Sequence, residues 1–338
     1  VGDSVIADST AYLLTGIDKG AFRNATALRS IQVEGTALSS VGDSLFHGCT
    51  ALNAVVWDID LPLQASMFDQ KSYHNLLVYL PSAMDFSHPL VGEHAMTLVR
   101  DGACDTLLLA YQYPFYAPRT FTASHVSYSR LFTQTTGMGS SAGWETMALP
   151  FDVQRVEHAT KGELAPFGAD ASSHHFWLSE WSDNGFVPAT SIQANTPYLL
   201  SMPNNTEYGD YSLNGAVTFS ADNAVIDSSD ALVVPANAQY RFVPSYAMVE
   251  ANDSVYALNT GVRYGEYVAG SVFVPDNYAV NPFSAYLLPQ ENAHRAPMYR
   301  IQPQDDVEEA VEHLEVRAED GIVYITAPEP CAVVIYDM

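Results

Sequence analysis

The chain has 338 residues, of which 48% are hydrophobic and 16% are charged, so it can bury a large core and its composition argues against global disorder. Fourteen Lys and Arg residues stand against 39 Asp and Glu residues, which gives a formal net charge of −25. Such a field repels nucleic acids and anionic membrane surfaces, and no run of 18 apolar residues is present, so we expect neither a nucleic-acid partner nor a membrane span.

The first part of the chain contains a repeat with a period of 24 residues. Apolar residues of one unit recur in the next, namely Ile17, Phe22, Leu28 and Ile31 as Val41, Phe46, Leu52 and Val55. A fixed period in this range is typical of a leucine-rich solenoid with one short strand per unit. The sequence therefore predicts a leucine-rich repeat region over residues 1–82, with strands near 28–33 and 52–57 and a degraded third unit at 68–81.

The rest of the chain is predicted to be mostly β. Residues 83–118 form a proline-punctuated transition segment with one buried strand at 106–111. Residues 119–303 alternate aromatic and β-branched runs with turn clusters, which is typical of an antiparallel β-sandwich-like domain. Two similar runs, 195–200 and 281–288, suggest two related halves, such as the two sheets of a sandwich.

Residues 304–338 read as an acidic linker followed by a partial β-tail. The alternation after residue 314 predicts a hairpin that turns at Asp320-Gly321. Because the pattern stops in mid-strand at Met338, we expect the tail to be truncated. Since the chain starts at Val1 without a charged-then-apolar leader, we expect a signal peptide to have been removed.

The repeat resembles a known family. Its sequence, Ala21-Phe22, Leu45-Phe46 and Cys49-Thr50-Ala51-Leu52, is similar to the leucine-rich repeats of BspA-like surface and secreted proteins of Bacteroidetes. The segments 128–130 and 143–152 look like a β-domain that follows such repeats, and residues 333–338 look like the start of a C-terminal sorting module. The resemblance implies export and surface display, and it implies no catalytic residues.

The function expected from these features is non-enzymatic binding or adhesion at the cell surface. The repeat strands would offer a face to a protein partner, from a host or a neighbouring cell. Exposed positions flanking these strands are the predicted binding residues, and they are Arg29, Gln32, Asn53 and Asp58. An architectural surface component is an alternative.

A second alternative places a carbohydrate-binding site in the β-domain. His174-His175-Phe176-Trp177 and Trp181 form the densest cluster of distinctive side chains. Adjacent histidines point to opposite faces of a strand, which argues against a shared metal, whereas Trp177 and Trp181 share a face. We expect that face to be core first, with stacking on a sugar as the functional alternative.

Patterns for catalysis and metals are weak. The three cysteines contain no CxxC pair, and neither HExxH, GxSxG nor a Walker-type loop occurs, so we predict no enzyme, no catalytic residues and no metal ligands. The carboxylates Asp222, Asp227 and Asp230 lie in a loop-like, oxygen-rich stretch, so a structural calcium ion remains open and no other cofactor is expected.

Overall fold

A computed structural model describes most of the chain and shows a mostly β protein, with 41% strand and 3% helix. The described residues are 4–7, 10–70, 73–136, 142–169, 174–262, 267–275, 278–291, 298–301, 315–319 and 322–326. The chain divides into two compact units, residues 1–301 and residues 302–338. Within the described part, no helix is long and apolar enough to cross a membrane.

The N-terminal part of the first unit is a solenoid-like stack of short strands. They are β1 (Ser4–Ala7), β2 (Thr10–Leu13), β3 (Gly16–Ile17), β4 (Ser30–Glu34), β5 (Ser40–Val41), β6 (Ala54–Asp58), β7 (Leu76–Leu80) and β8 (Met96–Arg100), with a 3₁₀ helix at Ala65–Met67. β1 and β2 form an antiparallel hairpin, and β3 pairs in parallel with β5. β4, β6, β7 and β8 pair successively in parallel.

The register of the stack reproduces the sequence repeat. Ser30 pairs with Ala54, so equivalent residues of the first two rungs are 24 residues apart. The spacing then shortens, because Ala54 pairs with Leu77 and Leu76 pairs with Met96. The strands predicted in the first two units are thus confirmed as β4 and β6, and β7 lies in the degraded third unit. The stack also continues to Arg100, through a strand of the transition segment that the sequence did not predict.

Aromatic rings fill the interior of the stack. The rings of Phe22 and Phe46 stack at 6.2 Å, and those of Phe46 and Phe68 lie 5.0 Å apart. Cys49 is fully buried between turns, and its thiol donates a hydrogen bond to the carbonyl of Phe22 at 3.0 Å. Each repeat therefore contributes one ring to a ladder that joins consecutive rungs, as the repeat pattern predicts.

Beyond the stack, the same sheet continues into a second group of strands. They are β9 (Ala103–Leu109), β10 (Phe121–Leu131), β11 (Glu145–Met147), β12 (Arg155–His158), β13 (Gly162–Pro166), β14 (His175–Ser182), β15 (Gly185–Pro188), β16 (Tyr198–Ser201) and β17 (Ala216–Ile226), with a 3₁₀ helix at Thr206–Tyr211. The order of this long sheet is β4-β6-β7-β8-β9-β10-β17-β12-β13-β14-β16-β11, and β15 pairs with β14. Most pairs after β10 are antiparallel.

A separate antiparallel sheet follows in the chain. It has the order β18-β21-β19-β20-β22 and consists of β18 (Tyr240–Ser245), β19 (Tyr256–Leu258), β20 (Val272–Pro275), β21 (Ser284–Pro289) and β22 (Tyr299–Arg300). Trp181 and Leu199 of the long sheet share a hydrophobic cluster with Phe242, Phe273 and Leu287 of this sheet. The two similar runs of the sequence lie in different sheets, one at β16 and the other at β21.

The second unit contains an antiparallel pair of strands, β23 (Glu315–Glu319) and β24 (Ile322–Thr326). Glu319 pairs with Ile322, which agrees with the hairpin predicted there. The predicted turn residues, the acidic segment 304–314 and the end of the tail lie outside the described residues.

Candidate functional site

The structure exposes only three of the four residues that the sequence predicted on the repeat face. Arg29, Gln32 and Asp58 are exposed, but Asn53 is only 5% exposed, so its prediction as a surface residue was wrong. The side-chain amide of Asn53 donates to the carbonyl of Pro114 at 2.9 Å. It is a structural amide, because a buried polar group needs such partners.

Most of the face that was predicted to receive a partner is covered by the chain itself. Val56, Leu77, Tyr79 and Val99 point away from the solenoid interior and are at most 5% exposed, in one cluster with Phe121 and other residues of the following domain. Residues 110–119 cross this face. The sequence did not predict this covering, and it leaves a protein partner little of the strand face.

The part of this face that stays open is polar. We call the set Arg29, Gln32, Glu34, Asp58 and Arg119 the edge patch. Gln32 donates to Glu34 at 2.6 Å, and Arg119 pairs with Asp58 at 2.5 Å. The hydrogen bond that Arg119 donates to Asp58 raises the pKa of Arg119. Exposed pairs of this kind contribute little to stability.

An aromatic groove of about 420 Å³ lies on β14, where the sequence placed the candidate tryptophans. The residues that line this aromatic groove are Phe167, His175, Trp177, Pro203, Glu207, Tyr208 and Tyr211. Phe167 and Tyr211 are 38% and 68% exposed, which is unusual in a chain that buries most of its aromatic rings. The groove therefore presents aromatic side chains to solvent.

Strand pairing brings the groove residues together. β13 runs parallel to β14, and the amide of Phe167 donates to the carbonyl of Phe176 at 2.9 Å, which sets Phe167 beside the groove face of β14. On the other side β16 pairs with β14, with Trp177 opposite Ser201. The chain leaving β16 then forms the 3₁₀ helix that carries Tyr208 and Tyr211.

The helix at Thr206–Tyr211 is fixed at both ends. The Asn205 side chain accepts from the amide of Glu207 at 2.8 Å, which caps the first turn. Lys161 donates to the carbonyl of Asp210 at 2.6 Å, and the amide of Leu213 donates to the carbonyl of Pro203 at 2.7 Å. The two tyrosines are thus held over the strand rather than carried on an unrestrained loop.

The rings form a curved surface. The Phe167 ring lies 5.2 Å from Trp177 at 37° and 5.3 Å from His175 at 30°, so these three make a shallow floor. Tyr208 stands 6.0 Å from Trp177 at 60° and forms a wall, and Tyr211 continues it. A groove of aromatic faces with a few polar groups can hold an apolar or amphipathic ligand by stacking.

The two tryptophans have different roles. Trp181 is 5% exposed and packs edge-on against Phe186, so it belongs to the core between the sheets. Trp177 lies at the border of that core and also lines the groove. Trp181 is thus core, as expected first for this strand face, and the alternative of a platform built from both tryptophans is not assembled. The other rings of the groove come from residues that the sequence analysis did not identify. No sequence pattern around Phe167, Tyr208 or Tyr211 indicates that they belong to a site.

Of the three carboxylates considered for calcium, Asp222 lies in strand β17, not in the loop-like stretch that the sequence indicated. Asp222 contacts the imidazole of His125 at 2.9 Å and the guanidinium of Arg155 at 2.8 Å. These hydrogen bonds, the one from His125 first, lower the pKa of Asp222. Among the described residues, no group of three or more His, Cys, Asp and Glu side chains is placed to hold a metal, and the calcium hypothesis stays a prediction.

Comparisons with known proteins give no family for this chain. No protein-family model, no curated protein and no solved structure matches it. The functional argument therefore rests on the residues themselves.

Proposed function

We propose that this chain is a non-enzymatic glycan-binding protein, exported and secreted or displayed on the cell surface, and that the aromatic groove holds the glycan. The observation that carries the proposal is the set of aromatic rings, including exposed Phe167 and Tyr211, that three separate segments bring to one groove. Export is supported by the resemblance of the repeats to those of BspA-like proteins. The solenoid is then a leucine-rich repeat array, and the antiparallel sheets form a sandwich-like domain.

A sugar suits this groove in three respects. The C–H face of a sugar ring packs on aromatic rings, and its hydroxyls need polar groups at the margin. The Nδ1 atom of His175 is buried without a hydrogen-bond partner among the described residues, and Glu207 supplies a carboxylate. Since the chain carries a formal charge of −25, a neutral glycan is favoured over an anionic one.

A glycan array with the full chain tests the proposal. We expect binding to neutral glycans that Tyr211→Ala weakens and Trp177→Ala abolishes, because both changes remove stacking surface. Tyr211 is 68% exposed, so its variant should fold normally. The matched control is Tyr113→Ala, which removes a 44% exposed ring elsewhere and should bind like the parent. Equal binding by all three variants would exclude the groove as the glycan site.

A second candidate function is protein binding at the edge patch. It is favoured by the exposed polar and charged groups on the first rungs, where the chain leaves the repeat face uncovered. The test is a pull-down of surface proteins with the full chain and its Arg29→Ala/Gln32→Ala variant. Loss of a specific partner by this variant, but not by the exposed-site control Arg23→Ala, would support it. If the variant captures the same proteins as the parent chain, protein binding at the edge patch is excluded.

A further inference from the structure

A second cavity lies between the two sheets, apart from the aromatic groove. It has a volume of about 300 Å³ and is lined by residues of β10, β11, β19 and β21 and of their connecting segments. Its lining is dominated by hydroxyl and amide side chains and contains one charged pair, Arg130 and Glu145. No residue lines both this cavity and the aromatic groove.

The charged pair is deeply buried. The side chains of Arg130 and Glu145 are 6% and 9% exposed, and the guanidinium Nη2 bonds directly to the carboxylate. Glu145 also accepts from the backbone amides of Thr133 at 2.9 Å and Gln134 at 3.1 Å, so its acceptors are well used. Burial alone would lower the pKa of Arg130. The charge of Glu145, its hydrogen bond to the guanidinium and the nearby hydroxyls of Tyr128 and Tyr111 together outweigh burial, so the pKa is raised.

The arginine has hydrogen-bond donors left over. Nη1 donates to the carbonyl of Thr146 at 3.0 Å, and Nε has no hydrogen-bond partner among the described residues. The guanidinium carbon lies 5.0 Å from the ring centre of Tyr111 and 4.9 Å from that of Phe132. A guanidinium has five N–H groups, and buried donors without acceptors are costly. The buried guanidinium thus keeps one donor, Nε, without an acceptor.

Uncommitted amides surround the same cavity. The side chains of Gln112, Gln134 and Asn281 line it and make no hydrogen bond to another described residue. Each amide offers a donor and an acceptor side by side, which matches two neighbouring hydroxyl groups. Thr260 adds an exposed hydroxyl to the lining. These groups together present both donors and acceptors around one small space.

We propose that this cavity binds a single neutral sugar residue, with Arg130 donating to its oxygens and the amides of Gln112, Gln134 and Asn281 pairing with its hydroxyls. The volume suits one monosaccharide rather than a chain. A carboxylated ligand is disfavoured, because Glu145 already neutralises Arg130 and the whole chain is acidic. The proposal shares its ligand class with the proposed function but not its residues.

Calorimetric titration of the full chain with free monosaccharides tests this site. The probes are glucose, galactose, mannose and N-acetylglucosamine, with glucuronate as the anionic comparison. We expect at least one neutral sugar to bind with a dissociation constant on the order of 1 mM, and glucuronate to bind more weakly. Gln134→Leu and Asn281→Leu should each weaken binding about tenfold, since an amide pair is lost while the volume is kept.

Control variants separate this site from the aromatic groove. Gln239→Leu changes an exposed glutamine away from the cavity and should leave the titration unchanged. Tyr211→Ala should also leave monosaccharide binding unchanged, although it weakens the glycan-array signal. If Tyr211→Ala removes monosaccharide binding and Gln134→Leu does not, the sugar lies in the groove and the cavity proposal fails alone. If no neutral sugar binds, or only glucuronate binds, the cavity proposal is overturned whatever the array shows.

Discussion

Buried side-chain amides attach the irregular segment 110–119 to the parallel strands. Asn75 is 4% exposed, donates to the carbonyls of Ala110 at 3.1 Å and Tyr113 at 3.0 Å, and accepts from the amide of Ala110 at 2.7 Å. Tyr79 adds a hydrogen bond from its hydroxyl to the carbonyl of Arg119 at 3.0 Å. Side chains of the solenoid thus satisfy backbone groups that a segment without strand pairing would otherwise bury unpaired.

The buried thiol of Cys104 should react slowly with alkylating reagents. Burial raises its pKa to about 12, with a smaller contribution from the charge of Asp105. The thiolate is the reactive form, so alkylation by iodoacetamide at pH 8 should be at least about 100-fold slower in the native chain than in urea. Mass spectrometry of the Cys104 peptide at timed intervals measures both rates.

The same shift has a defined consequence for stability. A thiol whose folded pKa is raised contributes stability that is complete below its unfolded pKa near 9.0 and is lost as the pH rises towards 12. The native labelling rate of Cys104 should therefore rise steeply in this alkaline range. Equal rates at pH 8 in buffer and in urea would show that the thiol is accessible, against the structure.

At the scale of the repeat unit, two backbone positions recur in the left-handed region. Gly20 and Ser44 have φ of 65° and 58°, and Asn24 and Gly48 have φ of 61° and 75°. Each pair is separated by the 24-residue period. The turn of each unit therefore needs residues that accept positive φ, which favours Gly and Asn over β-branched residues. The amide of Asn24 donates to the carbonyl of His47 at 2.8 Å, so this turn also joins adjacent units.

Gly48→Ala should destabilise the protein strongly. A Cβ at Gly48 would lie 2.2 Å from Oδ1 of Asn24 in the neighbouring turn, so this side chain must move. It would also lie 3.3 Å from the Cα of Asn24, and the strain of φ +75° adds to both contacts. Urea denaturation should show a loss of about 2–4 kcal/mol. The matched control is Gly102→Ala, where φ is +79° and no atom lies within 4 Å of the new Cβ, so only the strain of about 1–2 kcal/mol applies. Equal losses for the two variants would mean that the turns are not in contact.

The solenoid strands could be predicted because their register repeats in the sequence. The sequence also indicates that the outer face of these strands is covered, although the 24-residue repeat does not show it. β7 reads Leu76-Leu77-Val78-Tyr79-Leu80, and a strand with apolar residues at every position is buried on both faces. The expectation of an open face rested on polar residues such as Gln32 and Asp58. Gln32 has no polar counterpart on the next rungs, where Val56 and Tyr79 occupy the paired positions.

The candidate site was predictable only in part. Trp177 was visible because it lies in a dense aromatic segment. Phe167 and Tyr211 join it only through the pairing of β14 with β13 and β16, and the 3₁₀ helix that follows β16 sets the position of Tyr211. Such pairing is decided by long-range packing, which local sequence patterns do not specify. For the same reason, the contact between Arg130 and Glu145 could not be predicted from their positions in the sequence.

At the scale of the molecule, the solenoid and the following β-domain share one core. Val56, Leu77 and Val99 on the outer face of the stack belong to the same hydrophobic cluster as Phe121, Tyr128 and other residues of the following domain. Burying such a side chain contributes about 1.5–3 kcal/mol, and a domain is stable by only about 5–15 kcal/mol in total. The repeat region therefore depends on the β-domain for its stability.

This dependence predicts the behaviour of fragments. Residues 1–82 alone should show no cooperative thermal transition by circular dichroism, because Val56, Leu77 and Tyr79 would face water and the amides of Asn53 and Asn75 would lose their partners. The control is a chain ending at residue 304, which keeps the whole first unit and its buried Ile301 and should unfold in a single transition. A cooperative transition in the short fragment would show that the array is self-sufficient and that its outer face can be exposed to a partner. Without that result, binding experiments on the repeats need the β-domain attached.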